Sequence, residues 1–192
     1  MKILILAVFL VIITGCKMPV NNFTGVGEVI VENSKFDQAL EVRMTKTHNF
    51  SGDEYLALST QFSAFWTNSD PEHFILTLEM HGSASSKAYI NFNSIKFNFS
   101  GEVINFEAGK TIHTNNYYNI VSNTLYTQSR APVYLPYSVL EKMINQPEVR
   151  IRVLTSEGYE DIIYHVSDSS LKGYKYSKYY LAQFKKKVDS LI

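Results

Sequence analysis

One cysteine stands in the whole chain, at position 16, so no intrachain disulfide can form and the fold must be held by its core. Neither sign of charge is in excess, with 18 Lys and Arg against 18 Asp and Glu. That balance lacks the electrostatic footprint of a nucleic-acid binder. The apolar run from Ile3 to Ile13 falls short of the roughly 20 residues that a membrane-spanning helix needs. Catalytic signatures are missing as well. There is no G-x-S-x-G elbow, no Walker motif and no H-E-x-x-H. Gly25-Val26-Gly27 is a bare G-x-G without the rest of a dinucleotide fingerprint. Ser169-Ser170-Leu171-Lys172 has S-x-x-K spacing, but the partner motifs that give that pattern its chemistry do not follow.

What is present at the N-terminus reads as a secretory leader. Met1-Lys2 places one positive charge before the apolar run, and small residues follow it. Ile13-Thr14-Gly15-Cys16 then resembles the lipobox of bacterial lipoprotein signal peptides. The resemblance covers residues 1–16 only. It implies that the Cys16 thiol is diacylated, that the leader is cut just before it, and that the new amino group is acylated. Each buried CH₂ contributes about 0.8 kcal/mol, so several chains on Cys16 would hold a folded domain on a membrane without a spanning helix. Acylation also accounts for the odd thiol. In enterobacterial sorting an Asp after this Cys retains the protein in the inner membrane. Lys17 stands there instead, so the outer membrane is expected. In a Gram-positive host the same signal would mean the outer face of the plasma membrane. Against a bacterial leader, the N-glycosylation patterns at Asn22, Asn49 and Asn98 read as coincidence.

Three parts follow: residues 1–15 as signal peptide, 16–34 as acylated Cys and tether, and 35–192 as a single β-rich globular domain. Pro19, Asn21, Asn22, Gly25 and Gly27 have the composition of a tether, to which Val29-Ile30-Val31 could add a short strand. Beyond it, period two dominates. Leu40, Val42 and Met44 alternate with Glu41, Arg43 and Thr45. Leu56, Leu58, Phe62, Ala64 and Trp66 share one parity. Phe74, Leu76, Leu78 and Met80 face away from His73, Thr77, Glu79 and His81. Ala88, Ile90 and Phe92 change parity to Ile95, Phe97 and Phe99, which demands a bulge or tight turn at Asn93-Ser94. Ser100-Gly101 turns into Val103 to Phe106. Ile112 to Leu135 is weakly patterned, and one or two strands with a long loop are expected. Ser138-Val139-Leu140-Glu141 fits a capping box that opens a short helix, stopped by Pro147. Val149, Ile151 and Val153 close a hairpin through Gly158 onto Ile162, Tyr164 and Val166. Tyr176, Tyr180, Leu181, Phe184, Val188 and Leu191 form a helical stripe that should pack on the domain, leaving the lysines of that helix in solvent. With 13 Tyr and 12 Phe, the composition also favours strands. The expected fold is mainly β, of the α+β kind. It is an antiparallel β-sandwich or strongly bent sheet with one short internal helix and a C-terminal helix.

Three groups carry chemistry worth weighing. His73, Glu79 and His81 share one strand face and are weak metal candidates, since imidazole plus carboxylate could bind zinc with a third ligand from elsewhere. The plainer reading is the polar outer face of a half-buried strand, and no cofactor is expected. Arg150 and Arg152 could clamp an anion, but cross-strand pairing with an acidic residue such as Glu160 is the simpler outcome. Tyr117, Tyr118, Tyr126, Tyr134 and Tyr137 lie among amides and hydroxyls, a composition suited to protein or glycan contact. The function expected is therefore a lipid-anchored, non-catalytic cell-envelope domain that binds or scaffolds another envelope component, a protein or glycan. The alternative is a small envelope hydrolase or metal-dependent enzyme without a recognisable motif. Cys16→Ser is expected to abolish palmitate incorporation and leave an unprocessed precursor. Metabolic labelling reads this directly, and a labelled Cys16→Ser chain removes the basis of the lipoprotein reading.

Overall fold

A computed structural model describes residues 25–47, 50–51, 60–83, 89–164 and 177–192. Cys16, Leu56, Leu58, Ala88, Val166, Tyr176 and the Ser169–Lys172 motif lie outside them. The described chain is mainly β. Six strands form one antiparallel sheet curled into a half-barrel. They are β1 (Val29–Asn33), β2 (Leu40–Thr47), β4 (Gln61–Thr67), β5 (His73–Ser83), β8 (Ile112–Asn119) and β9 (Thr124–Pro136), in the order β1-β2-β4-β5-β9-β8. A second antiparallel sheet has the order β3-β11-β10-β6-β7. Its strands are β3 (Phe50–Ser51), β6 (Phe92–Phe99), β7 (Glu102–Glu107), β10 (Val149–Thr155) and β11 (Gly158–Ile163). Helix α1 (Tyr137–Asn145) follows β9 without a break, and α2 (Ser177–Asp189) ends the domain.

The alternating apolar positions do what their spacing requires. Val42, Met44, Phe62, Ala64, Trp66, Phe74, Leu76 and Leu78 from the half-barrel join Ile95, Phe97, Ile151 and Val153 from the second sheet in one buried cluster. Helix α2 packs on β2, β4 and α1. Its Leu181, Phe184 and Val188 are fully buried, and the Phe184 ring lies 6.5 Å from that of Phe74. Burying one such side chain stabilises by about 1.5–3 kcal/mol, so this stripe belongs to the core as expected. Lys186 and Lys187 stay exposed on the opposite face.

Residues 25–34, within the stretch read as tether, fold onto this body. Val29-Ile30-Val31 does form a strand, pairing with β2 from Val29–Met44 to Asn33–Leu40. Gly27 precedes it with φ +63, and a Cβ built there would lie 2.1 Å from Tyr180 Cδ1. Only glycine lets the α2 ring lie on the chain at this point. The parity change at Asn93-Ser94 is a bulge, since Leu154 faces Ser94 but Thr155 faces Phe92, leaving Asn93 extra.

Two expectations fail. The long loop within residues 112–135 does not exist, because β8 and β9 form a hairpin with a short turn at 120–123. All but the last residue of β8 are exposed, so no alternation marks it. The capping box at Ser138 does not form either. The helix starts two residues earlier than that box requires, Pro136 occupies the N-cap, and no side chain caps it. Instead the Tyr137 amide donates to the Glu72 carbonyl at 2.7 Å, a partner supplied by the turn before β5. Ser138→Ala should therefore shift stability by less than about 0.5 kcal/mol. Gly27→Ala should cost about 1–3 kcal/mol through overpacking against Tyr180. Denaturant midpoints of the two variants measure the contrast.

Candidate functional site

The pairings of β5 and β9 decide which side chains share the outer face of the half-barrel. Inward positions such as Phe62, Leu78 and Ala131 fill the core, so their neighbours point out. Gln61, Glu79, Arg130 and Ile112 form one row across β4, β5, β9 and β8. His81, Gln128 and Thr114 form the next, and Tyr126 with Tyr117 the one beyond.

Glu79 is the buried charge of these rows, 6% exposed between Gln61 at 8% and Gln128 at 7%. Lys46 Nζ donates to its Oε1 at 3.0 Å and Arg130 Nε to its Oε2 at 2.8 Å. His81 Nε2 lies 3.2 Å from Oε1. Burial pushes the Glu79 carboxyl up, but hydrogen bonding and charge from Lys46, charge from Arg130 and a hydrogen bond from Gln128 together hold it below the usual range. A carboxylate engaged on both oxygens by permanent cations is a poor metal ligand and a poor general base.

The three weak metal candidates are not one site. Glu79 and His81 meet, but His73 sits six residues along β5, roughly 20 Å away at about 3.3 Å per residue. There His73 Nδ1 is 2.9 Å from Asp70 Oδ1, and its ring stacks on Tyr134 with 4.5 Å between centroids. The Tyr134 hydroxyl donates to Asp70 Oδ2. Hydrogen bonds from Tyr134 and His73 hold the Asp70 carboxyl below its ordinary value, and the same bond to Asp70 raises the Tyr134 hydroxyl. Among the described residues no three His, Cys, Asp or Glu are grouped to hold a metal ion.

The five tyrosines also separate. Tyr117 and Tyr126 stack across the hairpin, centroids 4.5 Å apart and 15° between planes. Tyr118 projects from the opposite face of the same hairpin, its hydroxyl donating to Asn123 Oδ1. Tyr134 belongs to the Asp70–His73 group. Tyr137 is not on that surface. It joins the helices, its hydroxyl donating to Asp189 Oδ1 at 2.9 Å while Lys185 Nζ lies 5.6 Å from its ring centre. Burial and the Asp189 bond push that hydroxyl far up. Arg152 pairs bidentately with Asp161, at 2.6 and 2.8 Å, rather than with Glu160. Glu160 accepts from the Thr60 amide and hydroxyl instead.

Sequence reasoning passed over the turn of the hairpin. Ile120 and Val121 are 83% and 99% exposed, larger exposures than any tyrosine beside them. Residues 111–129 contain no Asp, Glu, Lys or Arg, a signal that was readable in the chain.

Because the Glu79 carboxyl ionises more readily in the folded chain, its stabilisation is full above the unfolded value of about 4.3 and is lost as pH falls through the folded value. Lys46 and Arg130 are half-exposed, so screening limits the effect to about 1 kcal/mol at pH 7. Glu79→Gln should be less stable than the parent by that amount, with the gap closing below about pH 4. Urea unfolding of both chains across that range measures it, and a gap independent of pH contradicts the ion-pair account.

Compared with family models, with curated proteins and with solved structures, the chain matches none.

Proposed function

We propose that this chain is a lipid-anchored, non-catalytic domain of the bacterial cell envelope. Acyl chains on Cys16 hold it, with Lys17 favouring the outer membrane, and it binds or scaffolds another envelope component, a protein. It needs no cofactor and no nucleic acid for this.

The observation that supports the reading is the chemistry of the outer face of β9 and its neighbours. Tyr126 and Tyr134 offer ring area and hydroxyl groups there, the composition of a contact surface. The carboxylates beside them, Glu79 and Asp70, are both engaged, one by cations and one by Tyr134 and His73. General acid–base work needs a carboxyl free to exchange a proton with substrate, and neither of these is so placed. Among the described residues no helix is long and apolar enough to cross a membrane.

A photo-crosslinking phenylalanine analogue at position 134, in the full chain within its own envelope, tests the reading. A discrete protein adduct is expected, lost on Tyr126→Ser and absent when the analogue replaces Tyr159, an exposed residue of the second sheet. Crosslinking at 159 equal to that at 134 defeats the proposal.

A further inference from the structure

The β8–β9 turn has a combination of features that a protein-contact face does not require. It carries its two apolar side chains, Ile120 and Val121, at the outermost point of the hairpin. Part of the backbone around them is satisfied from within. Asn119 Oδ1 accepts from the Val121 and Ser122 amides at 3.0 and 3.2 Å, and Thr124 Oγ1 donates to the Ser122 carbonyl at 3.0 Å. Such a turn can leave bulk water with fewer orphaned polar groups. Just behind it, tyrosine rings stand on both faces of the hairpin: Tyr117, 57% exposed, and Tyr118, 54% exposed. Apolar tip, amphipathic rings behind it and no formal charge from 111 to 129 is the order in which side chains meet a bilayer surface.

The topology puts this tip where a membrane would be. Each neighbouring pair is antiparallel, so the start of β1, the end of β2, the start of β4, the end of β5 and the start of β9 lie at one end of the half-barrel. The hairpin turn is at that same end. The chain enters the fold there too, with the Gly27 amide donating to the Lys46 carbonyl at 3.1 Å. From the row of Glu79 and Arg130 to Thr124 is roughly 20 Å at about 3.3 Å per residue. Residues 17–24 separate Cys16 from Gly25 and can span at most roughly 30 Å. An acylated Cys16 and the hairpin tip can therefore reach one plane.

We infer that the β8–β9 turn is a second membrane contact: Ile120 and Val121 enter the headgroup region of the bilayer that holds the acyl chains, with Tyr117 and Tyr118 at its boundary. The inference rests on the lipid-anchor reading of Cys16 for its geometry. Depth is limited to the interface, because β8 is the edge of its sheet and no described strand satisfies its outer backbone groups. Lacking charge, the contact is indifferent to anionic lipid and to salt.

The test is the acylated full chain carrying Val121→Trp in zwitterionic vesicles, with lipids brominated on their acyl chains close to the headgroup as quenchers. Trp66 is 1% exposed and gives a constant background. The reference is Phe36→Trp, fully exposed in the β1–β2 loop at the opposite end of the sheet. Emission from position 121 should shift to the blue and fall at least twofold relative to position 36, unchanged in 1 M salt. Equal quenching at both positions, or none at 121, overturns the inference. A chain that floats with vesicles but is not quenched at 121 keeps the anchor and loses the tip. Quenching at 121 in a chain that proves not to carry acyl groups keeps the tip and sinks the anchor. A blue shift in native envelopes with no quenching in vesicles assigns the tip to a protein partner and overturns the membrane contact.

Discussion

The unbroken register between β5 and β9, from His73–Pro136 to Ser83–Tyr126, is the constraint on which the rest of the structure depends. Side chains alternate across a strand, so a shift of one residue here would exchange every inward group for its neighbour. Leu76, Leu78, Ala131 and Val133 would then face water, and Glu79 and Arg130 would face the core. The same pairing carries β9 back to the hairpin it forms with β8. It also delivers Pro136 to the point where α1 must begin, which makes the helix start a consequence of strand length rather than of a local cap.

Closure of the half-barrel falls to α2. Leu181, Phe184 and Val188 fill the concave side that a curled sheet would otherwise leave open, and Ser177 Oγ meets Thr47 Oγ1 at 2.5 Å at the helix start. Lys178 Nζ reaches the Gln146 carbonyl just after α1, while Tyr137 reaches Asp189 at the other end of α2. The two helices are thus tied at both ends, although they lie far apart in sequence. Without this lid a large apolar surface would be exposed, more than a monomer ordinarily tolerates.

Much of this was legible from period alone. The core faces of β2, β4, β5 and β10 follow the alternation, and the parity flip at Asn93 announced the bulge. The apolar stripe of α2 was readable for the same reason. The failures share a different cause, which is that tertiary partners decided them. β8 has no buried side to imprint a pattern on its sequence. Ser138 matched a local motif, but Glu72 from a distant turn took over the first helical amide. The choice between Glu160 and Asp161 as the Arg152 partner depends on a turn that pairs Thr155 with Gly158, and hence Arg152 with Asp161. The tyrosines looked like one patch because they are close in sequence, yet a hairpin, a strand face and a helix divide them. Glu79 alternated as an ordinary outward residue, and only the pairing across three strands reveals the cations around it.

The ring of Tyr180 on Gly27 has a mechanical meaning. Strand β1 enters the sheet at Gly27 and runs antiparallel to β2, so a force drawn on the chain upstream and along the strand loads the rungs of the β1–β2 ladder together, in shear. Rungs loaded together resist far better than rungs opened one after another. The aromatic clamp keeps the pull aligned with the strand, because peeling β1 sideways would first have to displace a side chain of the helix that closes the barrel. Load applied along the chain at Gly27 would thus reach the edge strand as shear rather than as peeling.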